Sequence, residues 1–334
     1  MEYRELGKTG LRISRIGFGG IPIQRLADAG EGVPLFDALE AAGVNYVDTA
    51  RGYTNSEARI GAAIRGRRER FILATKSMAR TAEAMAADVK ESLKNLGTDY
   101  IDLYQIHNPN AEQLRQVLAP GGAMEALAAA KAAGKIGHIG VTVHAVETFR
   151  AALDAGCFET VMFPYNIVER QGEALIAECR EKGVGFICMK PLAGGAIEDA
   201  QLALRFILQN DGVDCVIPGM AEPREVAENT AVGAQPLTEE ERARMAEIVA
   251  ALGTRFCRRC GYCAPCTAGI NISGAFLFHG YLTRYGLEDW ARSRYAAMPA
   301  TASACVDCGV CETRCPYGLP IREMLRECAA AFGK

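Results

Sequence analysis

The stretch FILATKSMARTAEAMAADVKESLKNLGTDYIDLYQIH, residues 71–107, contains the pattern that decides the fold. Its two ends, Phe71–Lys76 and Tyr100–His107, are short apolar runs of the kind found in buried strands. Between them, Ala82–Leu96 repeats apolar residues at helical spacing, so that they fall on one face. The stretch is therefore predicted to form a strand, a helix and a second strand, the repeating unit of α/β proteins.

The same alternation extends over most of the chain, at intervals of roughly 30 residues. The strand candidates are Arg15–Gly19, Asn45–Thr49, Phe71–Lys76, Tyr100–His107, Gly137–Val143, Thr160–Tyr165, Gly185–Lys190 and Cys215–Pro218. Eight alternating units favour a closed parallel barrel over an open sheet, so the expected fold class is α/β, a (β/α)8 TIM barrel. Ahead of the first strand, Tyr3–Ser14 is predicted to form a hairpin that plugs the barrel floor.

The length of 334 residues exceeds what a single barrel of about 250 residues needs. Thr238–Leu252 opens with the capping-box pair Thr238 and Glu241 and is predicted to be the last barrel helix. Gly253 and Thr254 then interrupt the pattern, so we place a domain boundary there. We expect a barrel over residues 1–252 and a small, mostly helical, ferredoxin-like domain over residues 253–334.

The composition is that of a globular protein, with 49% hydrophobic and 23% charged residues. A net charge of −3 offers no basic field, so no nucleic-acid partner is expected. No stretch approaches the roughly 18 apolar residues of a membrane span, and Met1–Gly20 contains no apolar signal run. We therefore expect a cytoplasmic protein.

Eight of the 13 cysteines lie in two tight runs near the C-terminus. The runs are Cys257, Cys260, Cys263 and Cys266, and Cys305, Cys308, Cys311 and Cys315. The second run, with Pro316 after it, has the bacterial ferredoxin spacing C-x2-C-x2-C-x3-C-P, in which closely spaced thiolates converge on an iron–sulfur cluster. The first run departs from this rule, because two residues separate its last two cysteines and Thr267 replaces the proline. Eight thiolates predict two 4Fe-4S clusters.

Zinc and disulfide bonds are the alternatives for these cysteines. Structural zinc usually uses two cysteine pairs separated by a longer spacer, which fits the runs less well. Disulfides require an oxidising compartment. The five remaining cysteines are scattered, and each is expected to be a small buried apolar residue. They are Cys157, Cys179, Cys188, Cys215 and Cys328.

Four polar residues lie at the predicted carboxyl ends of neighbouring strands, where a barrel places its chemistry. Asp48 closes the second strand, Tyr53 follows it in the loop, Lys76 ends the third strand and His107 ends the fourth. Carbonyl reduction needs a proton at the oxygen, which Tyr53 can donate when the Lys76 ammonium stabilises its phenolate. Asp48 would hold Lys76, and His107 would orient the substrate oxygen. Each residue alone also has a structural explanation, but their joint placement favours catalysis.

Three short segments of the sequence contain the four candidate catalytic residues. Asp48–Glu57 reads DTARGYTNSE, Lys76 lies in ATKS, and His107 lies in IDLYQIHNP. The set resembles the aldo-keto reductases, whose catalytic tetrad is aspartate, tyrosine, lysine and histidine in this order. The resemblance covers residues 1 to about 252, and the tail segments CGYCAPC and CGVCETRCP are similar to the branch with a C-terminal ferredoxin-like domain. It implies a barrel that binds an extended nicotinamide dinucleotide without a Rossmann motif, and no G-x-G-x-x-G is present.

The resemblance also implies a site for the nicotinamide half of the cofactor. Thr142 falls where the family has a serine on the carboxamide, whereas Val143 and Met162 replace its asparagine and glutamine. The segment of Lys190, Pro191 and Leu192 aligns with residues that pack on the nicotinamide and reach the pyrophosphate. Gly20, in the glycine-rich end of the first strand, belongs to the same candidate set.

The adenosine end departs from the family pattern. Gly219 and Met220 take the places of a lysine and a serine that bind the 2′-phosphate, and Glu225 replaces an arginine. Glu228 and Asn229 still match the adenine-side pair. Because most of the cations are gone, the choice between NADH and NADPH stays open. Each assigned residue also has an alternative explanation as ordinary strand-end or helix-start structure.

In two-cluster ferredoxins the fourth cysteine of each run ligates the other cluster. On that rule one cluster takes Cys257, Cys260, Cys263 and Cys315, and the other takes Cys305, Cys308, Cys311 and Cys266. A nicotinamide gives two electrons as hydride, whereas each cluster passes one. A flavin would reconcile them, in the barrel or in a partner, but no flavin-binding pattern is visible.

The sequence thus predicts an NAD(P)-dependent oxidoreductase that reduces a small-molecule carbonyl or oxidises an alcohol. Its clusters would link it to a one-electron partner such as a ferredoxin or a flavoprotein. The alternative is an electron-transfer or redox-sensing protein in which the barrel is a docking or structural platform. Neither the substrate nor the oligomeric state can be read from the residues.

Overall fold

A computed structural model of the chain describes residues 1–233, 235–253 and 255–333. Thr254, at the predicted domain boundary, lies outside the described residues. The chain divides into two compact units. The first comprises Met1–Asn166, Arg170–Pro191 and Asp199–Pro236, and the second comprises Ile167–Glu169, Leu192–Glu198 and Leu237–Lys334.

The described residues of the first unit form ten strands. These are β1 Tyr3–Glu5, β2 Arg12–Ser14, β3 Phe18–Gly19, β4 Tyr46–Asp48, β5 Ile72–Ser77, β6 Ile101–His107, β7 Ile136–Thr142, β8 Thr160–Pro164, β9 Gly185–Met189 and β10 Cys215–Val216. Strands β3 to β10 are parallel and hydrogen-bond in chain order. Parallel bridges join Ile16 to Val216 and Gly19 to Gly219, so the last strand meets the first. The predicted α/β barrel is confirmed.

Each predicted strand falls on an observed one, but the first and last are shorter than expected. β3 and β10 have only two residues each, because pairing at the seam of the barrel is reduced to isolated bridges. There, Val216 N donates to Arg15 O at 2.8 Å and Gly19 N donates to Pro218 O at 2.9 Å. The predicted lengths, Arg15–Gly19 and Cys215–Pro218, therefore correspond to the paired segments rather than to regular strand.

The hairpin of β1 and β2 pairs in antiparallel fashion, as predicted. Leu6 and Ile13 are fully buried in one cluster with Tyr46, Leu103 and Ile187 from the barrel strands. Full burial of each aliphatic side chain contributes about 1.5–3 kcal/mol. The hairpin thus fills the barrel interior with apolar side chains.

Helices connect successive strands of the barrel. Those in the first unit are α1 Gly32–Ala41, α2 Ser56–Ala63, α3 Ala82–Leu96, α4 Ala111–Leu118, α5 Ala123–Ala132, α6 Val146–Ala155, α7 Glu173–Lys182, α8 Ala200–Leu208 and α9 Pro223–Thr230. Helix α3 has the predicted bounds, because Thr81 caps its start and Gly97, at a φ of 63°, ends it in the left-handed region. No helix in the described ranges is long and apolar enough to cross a membrane.

The second unit is mostly helical, as predicted. Its helices among the described residues are α10 Glu239–Leu252, α11 Ile272–Thr283, α12 Glu288–Ala296, α13 Val310–Thr313 and α14 Ile321–Ala331. Aromatic side chains hold it together: Tyr295 stacks on Phe332 with ring centroids 3.8 Å apart, and Tyr281 packs on Trp290 at 4.8 Å. Tyr281, Trp290 and Tyr295 lie between the two cysteine runs, so that part of the chain contributes to a helical core.

Helix α10 groups with the second unit rather than with the barrel. Its capping box of Thr238 and Glu241 forms as expected. None of its residues is fully buried, however, and Met245 and Ile248 on its apolar face are only half-buried. The compact units thus place α10 with the second unit, and the boundary after Leu252 stays a prediction.

The scattered cysteines follow the prediction with one exception. Those that are buried are Cys179, Cys188, Cys215 and Cys328. Cys157 is exposed, because it follows the helix-ending Gly156 in the loop between α6 and β8. The expectation of burial was wrong at this position.

Candidate functional site

Three neighbouring strands bring the candidate catalytic residues to the carboxyl ends of the sheet. Asp48 is the last residue of β4, Lys76 is the next-to-last of β5, and His107 is the last of β6. Tyr53 lies in the loop between β4 and α2. This is the end of a parallel barrel at which enzymes of the fold place their chemistry.

Asp48 and Lys76 form a buried ion pair, and each side chain is 2% exposed. The Lys76 ammonium also donates to Thr49 O at 2.8 Å, and Gln105 Nε2 donates to Asp48 Oδ2 at 3.1 Å. Burial raises the pKa of Asp48 and lowers the pKa of Lys76, while the pairing of the two opposes both shifts. Sequence reasoning missed Gln105, although it precedes His107 by two residues and so shares its strand face.

Tyr53 lies over this pair. The Lys76 Nζ atom is 5.0 Å from the centroid of the Tyr53 ring, and the Tyr53 ring meets the His107 ring edge-on, with centroids 5.9 Å apart. Tyr53 is half-buried. A phenol, an ammonium and an imidazole thus converge at one end of the barrel.

His107 is surrounded by positive charge. Its pKa lies well below the usual value because of burial, with Lys76, Arg80 and Lys190 lowering it further. Arg80 Nη2 donates to the His107 carbonyl oxygen at 2.8 Å, and the buried Nδ1 of His107 has no hydrogen-bond partner among the described residues. The imidazole is therefore neutral at physiological pH.

A buried carboxylate anchors the loop that carries Tyr53. Glu57, 3% exposed, accepts from Arg51 Nη1 at 2.6 Å, from Thr75 Oγ1 at 2.8 Å and from Ser92 Oγ at 2.8 Å. These contacts tie the loop to β5 and α3. The sequence alone assigns no such role to Glu57, because a glutamate near a helix start ordinarily interacts with the helix N-terminus.

The candidate nicotinamide residues of the first unit follow several strand ends. Gly20 N donates to Asp48 O at 2.8 Å, and a Cβ at position 20 would lie 2.7 Å from that oxygen, so packing alone requires this glycine. Thr142 is buried, and its Oγ1 accepts from Asn108 N at 3.0 Å. Lys190 has a φ of 56°, which turns the chain directly after β9 into the buried Pro191. Leu192 belongs to the second unit.

Gly219 and Met220 are candidates for the adenosine end of the nucleotide. Gly219 bridges to Gly19 across the barrel seam, and the Met220 side chain is fully buried. In α9, Asn229 is 5% exposed and Glu228 is exposed.

The start of α9 already holds a carboxylate. Glu225 Oε2 accepts from Ala221 N at 2.6 Å and from Glu222 N at 3.2 Å, and Glu225 Oε1 lies 3.6 Å from Arg25 Nη2. A helix N-terminus favours anions, and here a protein side chain satisfies that preference. A second anion at this position, such as a phosphate, would be repelled by the Glu225 carboxylate.

Two cavities in the second unit are lined by cysteines from both runs. We call the first the Cys257 cavity, lined by Cys257, Cys260, Cys263 and Cys315, and the second the Cys308 cavity, lined by Cys266, Cys305, Cys308 and Cys311. The grouping is the one that the ferredoxin rule predicts. Within the part of the chain that the structure describes, no group of three His, Cys, Asp or Glu is placed to hold a single metal ion. Four thiols around a cavity fit an iron–sulfur cube, which is larger than one ion.

Known families match both parts of the chain. The Aldo/keto reductase family matches residues 15–201 and 198–250, and a 4Fe-4S dicluster domain matches residues 256–320. Solved structures agree: the holo form of an aldo-keto reductase from Bacillus halodurans superposes with a TM-score of 0.65 at 28% identity, covering 74% of this chain and 96% of that chain.

Curated relatives are similar over most of their length. L-galactose dehydrogenase of Arabidopsis thaliana is 27% identical over 281 residues, which span 69% of this chain and 88% of the relative. The 6-dehydroglucose reductase of Novosphingobium aromaticivorans is 30% identical over 298 residues, which span 78% of this chain and 93% of the relative.

Proposed function

Because the chain belongs to the aldo/keto reductase family and carries a 4Fe-4S dicluster domain, we propose that it is a nicotinamide-dependent oxidoreductase that reduces a carbonyl or oxidises the corresponding alcohol. The observation that carries this proposal is the buried Asp48–Lys76 pair with its ammonium 5.0 Å from the centroid of the Tyr53 ring. The carbonyl carbon would receive a hydride from a nicotinamide held at this end of the barrel. The residues of the chain must then supply a proton to the oxygen and hold it in place.

Tyr53 is the proton donor in this proposal. Its phenol gives the proton to the carbonyl oxygen, and the nearby Lys76 ammonium stabilises the phenolate that remains. Asp48 keeps the ammonium charged and fixed in the barrel interior. General acid catalysis of this kind contributes about 10²- to 10⁴-fold to the rate.

His107 orients the substrate oxygen. A neutral imidazole can donate one hydrogen bond without competing for the proton that Tyr53 transfers. The low pKa of His107 keeps it in this form, and its buried Nδ1 has no partner within the described chain. The nucleotide would be held by Thr142, Lys190 and the residues at the end of β10, and Glu225 favours a nucleotide without a 2′-phosphate.

The second unit would bind two 4Fe-4S clusters, one in each cysteine cavity. Each cluster passes one electron, which suits exchange with a ferredoxin or a flavoprotein. A flavin, in the barrel or on that partner, is the group that would reconcile one-electron transfer with hydride chemistry.

Tyr53→Phe tests the catalytic assignment, since it removes the phenolic hydroxyl and keeps the ring. Carbonyl reduction should fall by at least about 100-fold while nucleotide binding, followed by fluorescence titration, is retained. Tyr100→Phe is the matched control, because Tyr100 precedes β6 at the end opposite His107. Both variants are assayed anaerobically with NADH and NADPH against a panel of aldehydes and ketones. Reduction by Tyr53→Phe at the control rate would refute the role.

The alternative function is electron transfer or redox sensing, with the barrel as a platform. The eight cysteines around two cavities favour it as a second candidate. It predicts that the wild-type protein binds neither nucleotide, that Tyr53→Phe has no effect, and that Cys308→Ala abolishes function.

A further inference from the structure

Arg258 is a buried cation next to the Cys257 cavity. It is 8% exposed and lines the cavity with the cysteines. Its guanidinium donates to Val168 O at 3.2 Å and to Gly253 O at 3.1 Å, and it lies 4.0 Å from the centroid of the Tyr317 ring. All of these partners are uncharged, and no carboxylate of the described residues forms an ion pair with Arg258.

A buried charge without a counterion is costly, by several kcal/mol per ion. Arginine does not escape this cost by losing its proton, because it stays charged in proteins. A cluster ligated by four thiolates is an anion, so an occupant of the Cys257 cavity would compensate Arg258. The neighbouring Arg259 does not serve this purpose, because it is paired with the fully buried Glu169.

The Cys308 cavity has a different electrostatic environment. Arg322 lines it, but its side chain is 38% exposed and its Nη2 lies 2.9 Å from Glu312 Oε2. Pairing and solvent together screen that positive charge. Two of the residues that line it are exposed: Cys308, and Val306, which is 67% exposed.

We propose that the two clusters are redox-inequivalent, and that Arg258 raises the reduction potential of the cluster in the Cys257 cavity above that of the cluster in the Cys308 cavity. The inference rests on the two clusters of the proposed function. Reduction adds one electron, and so one negative charge, to a cluster, and an unscreened cation stabilises the product more than the reactant. Electrons from a donor protein therefore collect in the Cys257 cavity, and the cluster in the Cys308 cavity is reduced last.

The test is an anaerobic redox titration of the full chain with dithionite, followed by electron paramagnetic resonance. The wild type should show two separate midpoint potentials. Arg258→Gln should lower the higher one by about tenfold in the reduction equilibrium constant, which is about 59 mV for one electron, and leave the lower one in place. Arg258→Lys, which keeps the charge, should stay close to wild type.

Two further variants assign the signals. Arg322→Gln, the matched change in the other cavity, should shift the lower potential by less than about threefold in equilibrium constant, because its charge is already paired and screened. Cys308→Ser should remove or alter the lower-potential signal only.

The outcomes separate the inference from the function on which it rests. Iron and sulfide contents corresponding to one cluster or none would overturn the two-cluster function. Two clusters with a single shared potential, or a higher potential that Arg258→Gln leaves unchanged, would overturn the inference alone. If the Arg258→Gln variant does not bind a cluster in the Cys257 cavity, the midpoint potentials of the wild type and of Arg258→Lys decide whether the inference holds.

Discussion

Breaking the Asp48–Lys76 pair from either side should destabilise the barrel, and removing both charges should largely restore it. Each side chain is 2% exposed, so Asp48→Asn leaves a buried ammonium and Lys76→Met leaves a buried carboxylate. Loss of one partner of a buried pair lowers the free energy of unfolding by about 3–5 kcal/mol, whereas replacing both partners by an uncharged pair of similar volume changes it little. At about 2–4 °C per kcal/mol, each single variant should unfold roughly 6–20 °C lower, and the double variant within a few degrees of wild type.

The assay is thermal unfolding of the four proteins in a double-mutant cycle, followed by far-UV circular dichroism under anaerobic conditions without nucleotide. The surface pair Glu91–Lys94, with side chains 41% and 76% exposed, is the matched control. Its cycle should give a coupling energy below about 0.5 kcal/mol. Losses that simply add in the Asp48→Asn/Lys76→Met variant would show that the two charges do not depend on each other.

Three further predictions follow from the described geometry. The pKa of His107 is lower in the folded state than in the unfolded state, so the free energy of unfolding should fall as the pH drops below about 6.5, by up to about 1.4 kcal/mol per pH unit. Urea unfolding at several pH values measures this slope, and His107→Asn should remove the part that His107 contributes. Glu225→Gln should raise kcat/KM for NADPH relative to NADH by about three- to tenfold, and an unchanged ratio in steady-state assays would argue against an adenosine-end role. Cys315→Ala should abolish the higher-potential cluster and halve the iron content although Cys315 lies in the second run; loss of the lower-potential signal instead would contradict crossed ligation.

The barrel could be predicted because its information is local. Each strand is a short apolar run, and α3 carries its own start and stop signals in Thr81 and Gly97. The convergence of Asp48, Lys76 and His107 followed from strand ends alone, since parallel strands place their carboxyl ends at one edge. The cysteine grouping was predicted from the ferredoxin rule that the fourth cysteine of each run ligates the other cluster.

The features that the sequence did not reveal depend on what a side chain packs against. Arg258 reads as one of several arginines beside a cysteine, and only its burial without a carboxylate distinguishes it. The apolar face of α10 indicates a helix but not the unit with which it packs. Gln105 and Glu57 read as ordinary polar residues in the sequence. Their roles become visible only from their hydrogen bonds to residues that are distant in the chain.

The interleaving of the cysteine runs bears on how the polypeptide matures. Neither cavity can be assembled from one run alone, because Cys315 completes the first and Cys266 begins the second. During synthesis the first three thiols of the Cys257 cavity leave the ribosome well before the fourth. A chain cut between the runs would keep an incomplete set of thiols on each side, so under the proposed crossed ligation each cluster can be completed only after both runs have been synthesised.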